Sequence, residues 1–221
     1  DPWKLFDLHE GDEVHVLIWT TTPWTLPANL AVAVHPEAQY VAARYVHPET
    51  GEMVVSVLAE PLADRVLHFA GVEEYETAGT VRGRDLVGME YRHPFIDRQS
   101  PVVPARYVSL EDGTGCVHNA PGHGLEDYVL GLEHGLDILS PVDATGHFTE
   151  EAGQFAGQHI EEGNDTIVNH LVEQGHMLNT GTDTHSYPHC WRCHQPVIFR
   201  ATNQWFVRMD HEGFRQKVLE A

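Results

Sequence analysis

The stretch from Trp19 to Asn29, Trp-Thr-Thr-Thr-Pro-Trp-Thr-Leu-Pro-Ala-Asn, restricts this chain more than any other. It follows Val14-His15-Val16-Leu17-Ile18, a β-branched and aliphatic run of strand character. Pro23 and Pro27 have no N–H to donate and hold the residues before them extended. The segment therefore neither continues a sheet ladder nor winds into a regular helix, and its backbone groups are left for another partner. Hydroxyls at Thr20, Thr21, Thr22 and Thr25 crowd the same place. Two readings stay open on these residues alone: a Thr-rich strand end closed by a Pro turn, or a hydroxyl-lined floor that meets a ligand.

A length of 221 residues allows one large domain with its own core, or a domain with a short appended stem. No apolar run approaches the roughly 18 residues of a membrane span, and the acidic start Asp1-Pro2-Trp3 is unlike a signal peptide. The expectation is a cytoplasmic chain with no membrane partner. Three cysteines, two of them in Cys190-x-x-Cys193, do not make a disulfide framework and suit a reducing compartment.

Strands are expected at Val14 to Thr20, Ala31 to Val34, Tyr40 to Val46, Met53 to Leu58, Tyr75 to Val81 and Pro101 to Tyr107. Leu62, Val66 and Phe69 fall at helical spacing before Gly71. The clearest helix is Asn164 to Gln174, with Asn164 or Asp165 as its cap and Gly175 as its stop. Val197 to Ala201 and Trp205 to Met209 read as further strands, and Gly213 to Ala221 as the start of a helix. Many short strands with occasional helices make an α+β chain whose sheet is closed or nearly closed, a β-barrel-like body decorated with helices.

Gly113 to Tyr128 is a second centre. Gly113-Thr114-Gly115 begins like a dinucleotide fingerprint, but His118 stands at the third glycine position and no long βαβ unit follows. Cys116-Val117-His118 reads as a short strand, Pro121 to Gly124 as a tight turn, and Leu125 to Leu132 as a helix with Glu126 and Asp127 in its first turn. A carboxylate there serves as a helix cap or as a functional group. His118, His123 and Asp127 also suggest a metal-dependent hydrolase, although Gly124 interrupts the helix needed to align the last two.

Ile18 to Asn29, Gly113 to Tyr128 and the third run His185-Ser186-Tyr187-Pro188-His189-Cys190-Trp191-Arg192-Cys193 together resemble the editing domain of isoleucyl-tRNA synthetases. Thr22 stands where the related valyl and leucyl enzymes usually carry Arg, which favours the isoleucyl family. The resemblance implies a β-barrel-like α+β editing domain over residues 1–184 and a partial stem over 185–221. It implies proofreading hydrolysis of valyl-tRNA(Ile), and of valyl-adenylate as a further substrate. Asp127 would accept the α-ammonium of the misattached valine, and His118 would exclude the bulkier isoleucyl side chain. Thr22, Thr25 and Asn29 would place the attacking water and hold the terminal adenosine, and Thr20, Thr21 and Trp24 would line the substrate site. The expected partners are the 3′ end of tRNA(Ile) carrying valine and the rest of the synthetase.

Neither a His-x-Gly-His nor a Lys-Met-Ser-Lys-Ser motif is present, so amino-acid activation is not expected from this chain and ATP would serve only the full-length enzyme. Editing itself is expected to use no cofactor. Cys190 and Cys193 are half of a four-ligand zinc knuckle, with His185, His189 or His194 as stand-in ligands, and two free thiols are the simpler reading. A formal charge of −20, from 13 basic and 33 acidic residues, opposes phosphate binding, so weak binding of tRNA by this piece alone is expected. Arg82, Arg84, Arg92, Arg98 and Arg106 form either a less negative face or an ordinary solvated surface. An inactive tRNA-binding insertion is the non-enzymatic alternative.

Overall fold

The computed structural model describes every residue except Asp1, Glu10, Asp183 and His185. His185, a stand-in ligand in the sequence reading, thus lies outside the described residues. In chain order the elements are α1 (Pro2–Leu5), β1 (Val14–Val16), β2 (Ala31–Val34), β3 (Gln39–Val46), β4 (Met53–Ala59), α2 (Glu60–Phe69), β5 (Glu76–Arg82), α3 (Gly83–Leu86), β6 (Glu90–Arg92), β7 (Gln99–Pro104), β8 (Cys116–Asn119), α4 (Leu125–His134), α5 (Ile160–Glu173) and α6 (Phe214–Leu219). The fold is α+β, but its strands make two separate four-stranded mixed sheets rather than one closed barrel. Their orders are β1-β4-β3-β5 and β6-β7-β2-β8.

The first strand stops well short of its expected end. After Val16 only Leu17 still reaches the sheet, its N–H donating to the Val57 carbonyl at 3.1 Å. The chain then leaves the ladder as the threonines begin, and Pro23–Ala28 folds into a single 3-10 segment. A 3-10 turn suits a proline-punctuated stretch because it asks few backbone N–H groups to donate. Thr25 N–H still reaches Thr22 O (3.0 Å), and Asn29 N–H reaches Leu26 O (2.9 Å).

Helix α5 holds that segment in place. It begins at Ile160, earlier than the sequence suggests, with His159 as the residue before it. Asn164 is released from capping, and its Oδ1 instead accepts the Trp24 N–H at 3.0 Å. Trp24 and Leu26 pack with Phe148, Phe155, Ile167 and Leu171 in a core of their own. The stop at Gly175 is as expected, with a φ of 71° that favours glycine. In α2 the buried face is Leu62, Ala63 and Leu67, whereas Phe69 is exposed, so the stripe read from Leu62, Val66 and Phe69 was rotated.

Two contacts lock the sheets together beside the threonines. Tyr40 of β3 is fully buried; its hydroxyl donates to the Gly115 carbonyl at 2.6 Å and accepts from His35 N–H at 2.9 Å. Ala59 N–H donates to the Thr114 carbonyl at 2.8 Å. Gly115 has a φ of 75°, and a Cβ there would stand 2.3 Å from that of Ala59. Only glycine lets β4 and the entry to β8 approach this closely.

The strands expected at Val197 to Ala201 and Trp205 to Met209 do not form. The first run makes single bonds to loops instead of a ladder: Val197 N–H to Pro188 O at 3.1 Å and Ala201 N–H to Gly122 O at 2.7 Å. Trp205 and Phe206 are exposed. Among the described residues no helix is long and apolar enough to cross a membrane.

Replacing Tyr40 with Phe leaves a buried carbonyl and a partly buried N–H without their partner. The expected cost is about 1–3 kcal/mol, read as a lower urea midpoint at unchanged m-value. An unchanged midpoint would mean that this hydroxyl does not hold the sheets together.

Candidate functional site

Where the two sheets meet, Thr20, Thr21, Thr22 and Thr25 face His118 and Asp127 across a cleft of about 390 Å³. The residues come from four separate places: the chain leaving β1, the 3-10 segment, strand β8 and the first turn of α4.

His118 sits within a directed chain of hydrogen bonds. The Tyr91 hydroxyl donates to Asn29 Oδ1, and Asn29 Nδ2 donates to His118 Nδ1 at 2.8 Å. Because that amide nitrogen can only donate, Nδ1 is the acceptor and the ring proton resides on Nε2. Nε2 then donates to Thr25 Oγ1 at 3.0 Å, and the Thr25 hydroxyl gives its own hydrogen to the Thr22 carbonyl at 2.9 Å. A second proton on the ring would point at the Asn29 NH₂. Burial, with His93 and His123 nearby, pushes the His118 pKa down to about 3. The ring is a fixed neutral wall of the cleft and has no free nitrogen with which to move a proton.

Asp127 is the third residue of α4, whose N-cap Gly124 makes no side-chain cap. The carboxylate does not close the helix end. It reaches back to the end of β8, where Oδ2 accepts the Ala120 N–H at 3.1 Å. Burial raises its pKa, and the Ala120 N–H and the Asn119 amide oppose the rise. Asn119 is fully buried, and neither of its amide atoms has a partner of good hydrogen-bond geometry among the described residues.

The structure brings Thr20, Thr21, Thr22, Thr25, His118 and Asp127 to one cleft and leaves two expected residues out of it. Trp24 is 6% exposed and belongs to the core under α5, so it is not a substrate wall. Asn29 is 5% exposed, and its side chain is committed to His118, Ala31 O and Tyr91, so it positions the site rather than holding an adenosine. Arg98, read in the sequence as part of either a less negative face or an ordinary solvated surface, is instead drawn inward. Its Nη1 donates to the carbonyls of Pro27 (3.0 Å) and Asn29 (2.7 Å), clamping the end of the 3-10 segment. Sequence reasoning missed Trp19, which is half exposed at the cleft wall, and Tyr91 and His93, whose contacts are distant in sequence. The doubled Trp of the Trp19 to Trp24 motif was the one available signal.

His118, His123 and Asp127 are not arranged as a metal ligand set. Both nitrogens of His118 are engaged, and His123 Nδ1 donates to the Phe199 carbonyl at 2.8 Å. Cys190 and Cys193 lie on a tight turn closed by Cys190 N–H to Gln195 O and His194 N–H to Cys190 O. The N–H groups of Cys193 and Arg192 lower the Cys190 thiol pKa, which suits a thiolate ligand. His189 Nδ1 is taken by the Tyr187 carbonyl, and among the described residues no group of three or more His, Cys, Asp or Glu is placed to hold a metal ion.

No protein-family model matches the chain. Among solved structures it is similar to GlLeuRS-CP1, with a TM-score of 0.63 and 18% identity over 81% of this chain and 89% of that one. It is also similar to the cytosolic leucyl-tRNA synthetase editing domain of P. knowlesi, with a TM-score of 0.59 and 10% identity over 76% of this chain and 84% of that one. The fold is therefore that of a synthetase editing domain. In sequence it is 49% identical over 215 residues to isoleucine–tRNA ligase of Petrotoga mobilis, 97% of this chain and 23% of the relative. It is 52% identical over 206 residues to that of Moorella thermoacetica, 93% of this chain and 21% of the relative. The chain is thus similar to one segment of the isoleucine–tRNA ligases, spanning about a quarter or less of their length.

The neutral histidines link stability to pH. His93 is held near 4, chiefly by burial, and His118 near 3, against 6.5 for a free imidazole. Between those values and pH 6.5 the unfolded chain binds protons that the folded chain refuses. Their contribution is complete above pH 6.5 and is lost as the pH falls, each by up to about 1.4 kcal/mol per pH unit. Urea unfolding of His118→Gln between pH 7 and 4 should show a shallower pH slope than the unaltered chain. Equal slopes would mean that His118 is not held neutral.

Proposed function

We propose that this chain hydrolyses the ester joining valine to the 3′ end of tRNA(Ile). The observation that supports it most directly is the placement of the anchored Asp127 carboxylate opposite the threonine hydroxyls in one cleft. In this reading Asp127 accepts the α-ammonium of the ester in a charge-assisted hydrogen bond, which fixes the carbonyl near the threonines. Thr20, Thr21 and Thr22 orient the attacking water, and a ribose hydroxyl of the tRNA end assists. Thr25 gives its proton to the Thr22 carbonyl, so it supports the floor and does not attack. Unactivated Thr hydroxyls are poor nucleophiles, which favours direct attack by water over a covalent intermediate.

His118 is the size filter. A wall whose two nitrogens are both bonded cannot rotate aside to admit a larger side chain. The need for such a filter follows from the small difference between the two amino acids: the established discrimination of isoleucine from valine by one methylene is about 1–3 kcal/mol, a general magnitude and not one derived from this site. Valyl-adenylate carries the same ammonium and acyl group and fits the same roles. The strongly acidic surface leaves recognition of the tRNA body to the rest of a synthetase, which would also carry ATP-dependent activation. An inactive tRNA-binding insertion agrees less well with a charge of −20.

Asp127→Ala should lose at least about 100-fold in the rate of valyl-tRNA(Ile) deacylation while keeping its circular dichroism and thermal transition. Wild-type rates in that variant would remove Asp127 from the chemistry. His118→Ala should begin to deacylate isoleucyl-tRNA(Ile), and continued sparing of that substrate would remove the steric role.

A further inference from the structure

His123 lines the same cleft, at the end of the turn between β8 and α4, and the roles above leave it without a task. Its Nδ1–H donates to the Phe199 carbonyl at 2.8 Å, so its proton is fixed on that side and Nε2 carries a bare lone pair. The ring lies edge-on to Trp24, with centroids 4.9 Å apart at 80°, which holds its orientation. Nε2 is buried and has no hydrogen-bond partner among the described residues. Leaving a buried acceptor without a partner is costly, so its retention calls for a partner that arrives with substrate. Catalytic hydrogen bonds of this kind often tighten only in the complex.

We propose that His123 is the base of the hydrolysis, its Nε2 removing a proton from the attacking water. This rests on the deacylase reading above and adds the group that reading lacks. His118 has both nitrogens engaged, and Asp127 is occupied by the ammonium. As the water oxygen bonds to the ester carbonyl carbon, one of its protons passes to Nε2 and the carbonyl electrons move to oxygen. When that centre collapses, the carbon–oxygen bond to the ribose breaks, and the imidazolium returns the proton to the leaving ribose oxygen. The arrangement, a histidine held by a carbonyl on one nitrogen and free on the other, matches the ordinary geometry of an oriented base.

The charged and titratable groups that bear on the ring are Arg200 on the C-terminal segment, His118 on β8 and Asp127 across the cleft. Burial lowers the His123 pKa, the Phe199 carbonyl opposes this, and Arg200 adds to the lowering. The ring is therefore unprotonated at neutral pH.

The test is steady-state deacylation of valyl-tRNA(Ile) by the unaltered chain and by His123→Gln across pH 5 to 8. The expected result is a kcat lower by about 100-fold or more with KM changed less than about twofold, and loss of the acid limb present in the unaltered chain. Nitrogen-15 NMR of the unaltered chain at pH 7 provides a readout independent of the variant's folding, and it should find the His123 proton on Nδ1. A variant with the kcat and pH profile of the unaltered chain, or a proton on Nε2, overturns the assignment. If the unaltered chain leaves valyl-tRNA(Ile) intact, the deacylase reading itself falls. If it deacylates and the variant matches it, only the role of His123 falls.

Discussion

The hydrogen-bond chain from Tyr91 through Asn29 and His118 to Thr25 and the Thr22 carbonyl is the constraint on which the site depends. Every link has one donor and one acceptor, and each is pointed by the one before it. Tyr91 lies on β6, His118 on β8 and Thr25 in the 3-10 segment, so the chain runs across the sheet that carries both edges. Such a network strengthens along its length in a low-dielectric interior and becomes costly if one member is removed. Arg98 adds a second hold on the same segment by donating to the Pro27 and Asn29 carbonyls. The consequence is a cleft wall that is neutral and fixed in orientation.

Much of the scaffold is legible in the sequence because it depends on neighbours in sequence. The β2 run Ala31–Val34 and the stop at Gly175 follow from side-chain character and glycine conformation. The separation of the sheets is not legible, because it depends on where strands stop pairing. β1 ends when the threonines and prolines take the chain away, which prevents that edge from extending toward closure. The start of α5 is misread for a related reason. Asn164 has the chemistry of a cap, but its amide is engaged by a Trp24 N–H 140 residues away.

The site divides in the same manner. Asp127 and the threonines stand out because their residue types and spacing are unusual, and they do share a cleft. Asn29 and Trp24 lie in the same motif and look equally exposed to a ligand in one dimension. Their partners decide otherwise: Asn29 is turned inward by Tyr91, 62 residues on, and Trp24 by the helix packed over it. A motif read along the chain mixes residues that touch a ligand with residues that hold the first kind still.

The C-terminal segment shows how far that holding extends. Read as a stem from residue 185, it also backs the cleft, because Phe199 fixes the tautomer of His123 and Ala201 N–H bonds to the Gly122 carbonyl. On its other side Gly122 lies so close to Leu139 that a Cβ would stand 1.9 Å from its carbonyl oxygen. The turn from Pro121 to Gly124 is thus gripped from two directions, and the Ala120 N–H that anchors Asp127 lies directly before it. Residues 199–201 are thus bonded to His123 directly and, at Gly122, to the turn that follows the Asp127 anchor.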